Sequence, residues 1–308
     1  HKVEKKQNRR NPQTVIDVAN TIRTDGLVQT PSEDSSAPNM ENGMIKQGSV
    51  KFLYSTSFDL SKVKLSSWVN GWDFYNAKKT KELRLTHNLI ADEAGFSNLM
   101  AVYDNDPIAK FKEAFHKEAK KQGHVFSDEE TFDTIVKSMP WVYKREPHKG
   151  KSHLDVLLEK DNLIDDKVVI DGVTVREPKR DRLIQHLFKI QELISLFDNK
   201  EYNELIRRTS FSVQSIADKS NFKKCMDDLK AKASESIEAV ISYADSFKLC
   251  IADDKLKDFI DNNDYLYWRV KDIPFHEFQN LYLYLEGYTP FSTQHKIKGL
   301  EFENVLIV

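Results

Sequence analysis

Two arginines near one end of the chain and a polar stretch near the other carry side chains suited to phosphate. Arg9 and Arg10 lie in a head that also holds Lys2, Lys5 and Lys6 against a single acid, Glu4. A guanidinium is always charged and can hold two phosphate oxygens at once. The competing reading is a solvated basic stretch. The tail reads Thr293-Gln294-His295-Lys296-Ile297-Lys298-Gly299-Leu300-Glu301-Phe302. Gly299 lets backbone approach a ligand closely, Lys298 suits a phosphate or a helix end, and Leu300 and Phe302 read as core. Thr86-His87-Asn88 follow a strand-like run, at the end where α/β sheets usually present ligands; a capped loop is the alternative. Trp68, Trp72, Phe74 and Tyr75 stand beside Lys78, Lys79 and Lys81. At that spacing the rings are expected mostly as core, with a base-stacking platform as the alternative.

Three other patterns imitate chemistry. Gly150-Lys151-Ser152 looks like the end of a phosphate loop, but the earlier glycine that loop needs falls on Arg145. Asp92-Glu93-Ala94 looks like a Mg²⁺ acid pair, yet Thr86-His87-Asn88 intervenes where an apolar strand should precede it; the acids are expected at a helix N-terminus. Val168-Val169-Ile170-Asp171 ends in Asp171-Gly172 before Val173-Thr174-Val175, which is a hairpin turn signal. The nine histidines show no H-x₃-H or H-E-x-x-H spacing, so no metal site is expected.

The elements that must position these residues follow from periodicity. Asn11-Pro12 reads as an N-cap and first helical residue. Val15, Val18, Ala19 and Ile22 then give one apolar face, up to a stop near Gly26. Pro31 to Gly43 reads as a mobile loop, Ser49 to Ser55 as a strand, and Leu60 to Trp72 as a short helix. Glu82 to Thr86 reads as a strand leading to a helix from near Ala91. Charged amphipathic helices dominate from about Asp104 to Lys271. One carries the stripe Leu183, Leu187, Ile190, Ile194 and Phe197, and another spans Phe222 to Ala244. A helix after Pro274 stops at Gly287, and Phe291 to Val308 reads strand or loop, turn, strand. The expected fold class is α/β, with a mostly helical block inserted into a parallel-sheet domain.

Composition bounds the rest. The 308 residues are 40% hydrophobic and 31% charged, which excludes a wholly disordered chain. A net charge of −2 means that any nucleic-acid contact must come from a local basic patch. Two cysteines exclude a disulfide scaffold and suit a reducing cytoplasm. No apolar run approaches the ~20 residues of a membrane helix. The chain opens without Met and stops within the strand-like Leu306-Ile307-Val308, as expected of a piece of something longer.

The tail, with Asn304-Val305-Leu306-Ile307-Val308 after it, resembles the T-x-H-x-x-K-G-L-E-F motif (motif V) of UvrD/Rep/PcrA-like superfamily 1 ATP-dependent DNA helicases. The head, Asn8-Arg9-Arg10-Asn11-Pro12-Gln13 and then Ile16-Asp17-Val18-Ala19-Asn20, is similar to the family's motif IV, N-Y-R-S and a helix ending A-N; Arg9 stands where an aromatic is usual. Leu83-Arg84-Leu85-Thr86-His87-Asn88 with Ala94-Gly95-Phe96 looks like the strand-to-helix element that follows motif IV. The resemblance covers about residues 8–100 and 274–308.

It implies a partial RecA-like domain (2A) over 1–103 and 273–308, with an inserted helical domain (2B) over 104–272. By the same resemblance Arg10 is the cation that reaches the γ-phosphate of ATP, with Arg9 as the weaker candidate. Gly299 and Glu301 would border the nucleotide. Thr293, His295 and Lys298, with Thr86, His87 and Asn88, would touch DNA. ATP and Mg²⁺ would be used only by a longer parent that also supplies the first RecA-like domain, a phosphate loop and the Mg²⁺ acid. These residues alone are expected to be inactive. Single-stranded and duplex DNA are the implied partners, with a nuclease or repair protein as a further one. The rival reading is a non-catalytic docking module built on charge clusters such as Lys117 to Lys121 and Arg176 to Arg182. A small-molecule enzyme using Asp92 and Glu93 is a third.

Overall fold

The protein is described from a computed structural model. The structure describes residues 6–54, 56, 59–121, 123, 130–131, 163–164, 166–170, 173–177, 180–294, 296–297 and 300–308. It is a mixed α/β chain that divides into two compact units, His1–Thr80 with Lys298–Val305, and Lys81–Ile297 with Leu306–Val308.

The first unit has little regular structure. Strand β1 (Gln7–Asn8) pairs in parallel with β2 (Thr30–Pro31), and helix α1 (Gln13–Ile22) connects them. Pro12 rather than Asn11 is the N-cap of α1, and no side chain caps it. The first helical N–H groups instead donate to Lys46 O (from Gln13, 2.8 Å) and Gln47 O (from Thr14, 3.1 Å). The stretch read as a mobile loop is organised: β3 (Met40–Glu41) and β4 (Met44–Ile45) form a hairpin. Its turn is Asn42-Gly43, both at positive φ, a hairpin signal that the loop reading passed over. Residues 49–54 form no strand. Helix α2 (Leu60–Lys64) is capped by Asp59, and a 3₁₀ turn (Ser67–Val69) follows.

The second unit holds the core. Strand β5 (Thr80–Arg84) starts and ends two residues before the expected strand, and every one of its residues is buried. It pairs in parallel with β8 (Phe291–Thr293), Glu82 opposite Phe291. Val308 N–H donates to Leu83 O (2.9 Å), so that β9 (Asn304–Ile307) lies on its other side, in the order β8-β5-β9. Helices α3 (Asn88–Ala94), α4 (Ser97–Asn105) and α5 (Pro107–Lys121) follow β5. Strands β6 (Asp166–Ile170) and β7 (Val173–Glu177) form the expected antiparallel hairpin; its turn residues lie outside the described set.

Helix α6 (Arg182–Asp198) buries all five residues of the predicted stripe. Around it lie α7 (Tyr202–Arg208), α8 (Ile216–Ala231), α9 (Ile237–Ser246), α10 (Asp254–Asn262), α11 (Asp264–Val270) and α12 (Phe275–Leu285). The helix expected over Phe222 to Ala244 is thus two, broken by a 3₁₀ turn at Lys232–Ser234 and restarted by the cap Ser236. Its apolar residues keep helical spacing across the break, which is why periodicity missed it. One cluster of buried side chains runs from Ile90 to Leu285. The expected insertion, 104–272, lies within this unit.

Candidate functional site

Within the first unit the two ends of the sequence meet. Arg10 Nε lies 3.0 Å from Glu301 Oε1, with the side chains 53% and 45% exposed. A half-exposed pair of this kind adds only about 0–1 kcal/mol, so the contact has little weight as a structural strut. Local hydrogen bonding explains how Arg10 is presented. Asn8 Oδ1 accepts from the backbone N–H groups of Arg10 (3.1 Å) and Asn11 (3.0 Å), which closes a tight turn around the arginines. Asn39, 1% exposed, donates through Nδ2 to Asn8 O (2.9 Å) and Asn11 O (2.8 Å). The turn is therefore clamped from outside by one buried amide.

The two arginines have separate partners. Arg9 Nη2 bonds Asp34 Oδ2 at 2.5 Å, while Arg10 reaches Glu301. Pro12, the N-cap of α1, packs closely against Gly48. Gly48 has φ +63°, and a Cβ there would stand 2.4 Å from Pro12 Cγ. Asn8, Asn39 and Gly48 are scaffold residues that sequence reasoning missed. The Asn-Gly hairpin beside Asn39 was the available signal. Lys298 and Gly299 lie outside the described residues.

In the second unit, Thr86 and His87 stand between β5 and α3, and Asn88 opens α3. Thr86 and Asn88 are exposed and His87 is half-buried. His87 Nδ1 lies 2.7 Å from the Tyr284 hydroxyl. Burial, and then the nearby Lys296 ammonium, push the His87 pKa below its ordinary value. The imidazole is therefore neutral near pH 7 and offers hydrogen bonds rather than charge. Tyr284 is fully buried; its ring stacks on Phe96 (5.4 Å) and carries Lys296 Nζ 4.9 Å above it. Lys296 donates to Tyr284 O (2.9 Å) and Leu285 O (2.5 Å), two carbonyls at the end of α12. Tyr284 and Lys296 thus join the tail motif to the Thr86-His87-Asn88 loop, and neither was singled out in the sequence. Thr293 lies in β8, only 6% exposed. His295 is outside the described residues.

Asp92 and Glu93 correct an expectation. They occupy the last turn of α3, not its N-terminus, because the helix begins at Asn88. Glu93 pairs with Arg84, whose guanidinium also holds Glu82 Oε1 (Nη2, 2.7 Å) and Leu89 O. Glu82 is 0% exposed. These acids satisfy a buried guanidinium, which removes Glu93 as a candidate catalytic acid. Gly95 ends α3 at φ +79°, and a Cβ there would meet Asn280 Nδ2 at 2.7 Å. That close approach accounts for glycine in the Ala94-Gly95-Phe96 run. The aromatic cluster is a second correction: Tyr75 is 97% exposed and Trp68 53%, so these two are not core.

The half-exposed Arg10 guanidinium is accessible to a phosphate and fits that role. Among the described residues no group of three or more His, Cys, Asp or Glu could hold a metal ion. Also among them, no helix is long and apolar enough to cross a membrane.

No protein-family profile matches the chain, and no solved structure matches it. The chain is 22% identical over 313 residues to Gabija protein GajB of Bacillus cereus (strain HuB5-5). That match covers 99% of this chain and 41% of the relative, so the chain spans about two-fifths of that protein's length. With the motifs of the two ends, the similarity supports a distant helicase-like relationship.

Proposed function

We propose that this chain forms one wall of the ATP cleft of a UvrD/Rep-like DNA helicase, a 2A-type domain with its 2B-type insertion. The observation that carries the reading is the Arg10–Glu301 contact, in which residues 291 positions apart, each matched to a helicase motif, lie 3.0 Å apart. When ATP is bound, it supplies the free energy of phosphoryl transfer. Arg10 then exchanges its Glu301 partner for the γ-phosphate and stabilises the charge that spreads over the transferring group. Glu301 holds the guanidinium in position until then. Asn8 and Asn39 keep the turn rigid, so that little reorganisation is needed.

The 308 residues contain no G-x-x-x-x-G-K-[S/T] sequence and no matched Mg²⁺ acid. On this reading they do not hydrolyse ATP alone, and turnover belongs to a longer protein that brings those parts. Thr86, Asn88 and the neutral His87 then touch single-stranded DNA from the second unit, and duplex unwinding follows from the motor's movement.

The test uses the longer protein. Arg10→Ala is expected to reduce DNA-stimulated ATP turnover by about 10³-fold or more while changing DNA affinity by less than about 2-fold. Arg10→Lys is expected to recover little, because one ammonium cannot reproduce a two-pronged contact. Turnover of the Ala variant within 10-fold of wild type would refute the reading.

A further inference from the structure

The segment between Lys46 and Lys79 is unlike the rest of the chain. It holds six lysines and two aspartates, and seven of its residues are aromatic, within a protein of net charge −2. Four of its described rings, Phe52, Tyr54, Trp68 and Tyr75, are exposed. Tyr75 is 97% exposed and Trp68 53%, whereas burying such a side chain is worth ~1.5–3 kcal/mol. The patch is also organised. Lys51 Nζ lies 5.3 Å from the Trp68 ring and 3.4 Å from Trp68 O, joining the 46–54 stretch to the 3₁₀ turn. Lys64 Nζ lies 5.6 Å from the Phe74 ring, joining α2 to the turn after Trp72. Trp72 and Phe74 are 6.0 Å apart. All six side chains belong to the first unit.

Ammonium groups beside exposed rings fit one kind of partner best. A polyanion complements the net positive charge of the segment, and unpaired bases stack on the exposed rings; a duplex keeps its bases stacked inside. An apolar protein surface would bury the aromatic rings but would leave the ammonium groups desolvated. We propose that Lys51, Lys64, Trp68 and Tyr75, with the half-buried Trp72 and Phe74, form a stacking platform for single-stranded DNA that uses none of the residues of the Arg10–Glu301 pair. Only the choice of DNA rests on the helicase reading. The strand chemistry rests on the patch.

Binding of a fluorescein-labelled dT20 strand to this chain, followed by anisotropy at several salt concentrations, tests it. Trp68→Ala with Tyr75→Ala is expected to weaken binding at least about 10-fold. Trp68→Phe with Tyr75→Phe keeps the rings and is expected to stay within about 3-fold of wild type. Lys51→Gln with Lys64→Gln is expected to flatten the slope of log K against log salt by about 1.4, from ~0.7 per phosphate contact on a single strand. Blunt duplex of the same length should bind more weakly and be insensitive to the alanine pair. The proposal is overturned if the alanine pair binds dT20 within 2-fold of wild type, if the glutamine pair leaves the slope unchanged, or if duplex shows the same loss. Arg10→Ala leaves dT20 binding intact under this proposal, so its failure and that of the nucleotide reading are distinguishable.

Discussion

The two units of this protein are built on different physics. The second buries a continuous apolar cluster under α6 and α12, with Leu183, Leu187, Ile190, Phe275 and Phe278 at or near zero exposure. The first has two-residue strands, one buried residue in α1, and loops held by Asn8, Asn39 and the carbonyls of Lys46 and Gln47. Apolar burial scales with area and gives a stable body. A set of single hydrogen bonds, each worth about 1 kcal/mol, gives a surface whose geometry is specified by a few named atoms. Arg10 sits on the second kind of construction, where one side chain can exchange partners without disturbing a core.

The largest break in that contrast should come from charge buried in the second unit. Arg84→Ala removes the guanidinium paired with Glu82, which is 0% exposed. It is expected to cost about 3–5 kcal/mol in urea unfolding. A loss under 1 kcal/mol would show that the pair is dispensable and that apolar packing alone holds β5.

A smaller effect should appear with pH. Burial lowers the His186 pKa to about 4, with the neighbouring Lys189 charge adding to it. Above pH 6.5 the ring is neutral whether folded or unfolded, and stability is unaffected. As pH falls from 6.5 towards 4 the unfolded chain takes up the proton first, so that stability falls by roughly 3 kcal/mol. His186→Leu should remove that slope; wild-type and variant curves that stay parallel from pH 7 to 4 would contradict the assignment. The same burial raises the Cys250 thiol, 3.9 Å from His186 Nδ1, to about 11. With both groups driven to their neutral forms, this pair is packing rather than a nucleophile.

The smallest effect sharpens the comparison from the other side. Asn39→Ala removes two donors to the Asn8 and Asn11 carbonyls and is expected to cost about 1–3 kcal/mol. Hydrogen exchange should localise the loss to residues 8–16 and 37–47, with protection in α6 unchanged. Equal loss of protection in α6 would mean that the two units unfold together.

Helix positions and the hairpin of β6 and β7 were legible because a 3.6-residue apolar period and an Asp-Gly turn are local signals. The α6 stripe was read residue by residue for that reason. The break at Lys232–Ser234 was not, since a short kink preserves the period on both sides. The strand read over residues 49–55 failed because alternation describes a pattern of side chains, while a strand also needs a neighbour to take its hydrogen bonds.

The candidate site divides the same way. The resemblance of both ends to helicase motifs marked Arg10, ahead of Arg9, and Glu301 as residues bordering a nucleotide, while residue types alone favoured neither arginine. Only the folded chain gives Arg9 to Asp34 and Arg10 to Glu301, since each choice depends on where a loop tens or hundreds of residues away comes to rest. Likewise, the sequence determined that Trp68 and Tyr75 stand among lysines, but not that they face water. Exposure depends on the packing of the whole unit, and composition carries no information about which neighbours arrive.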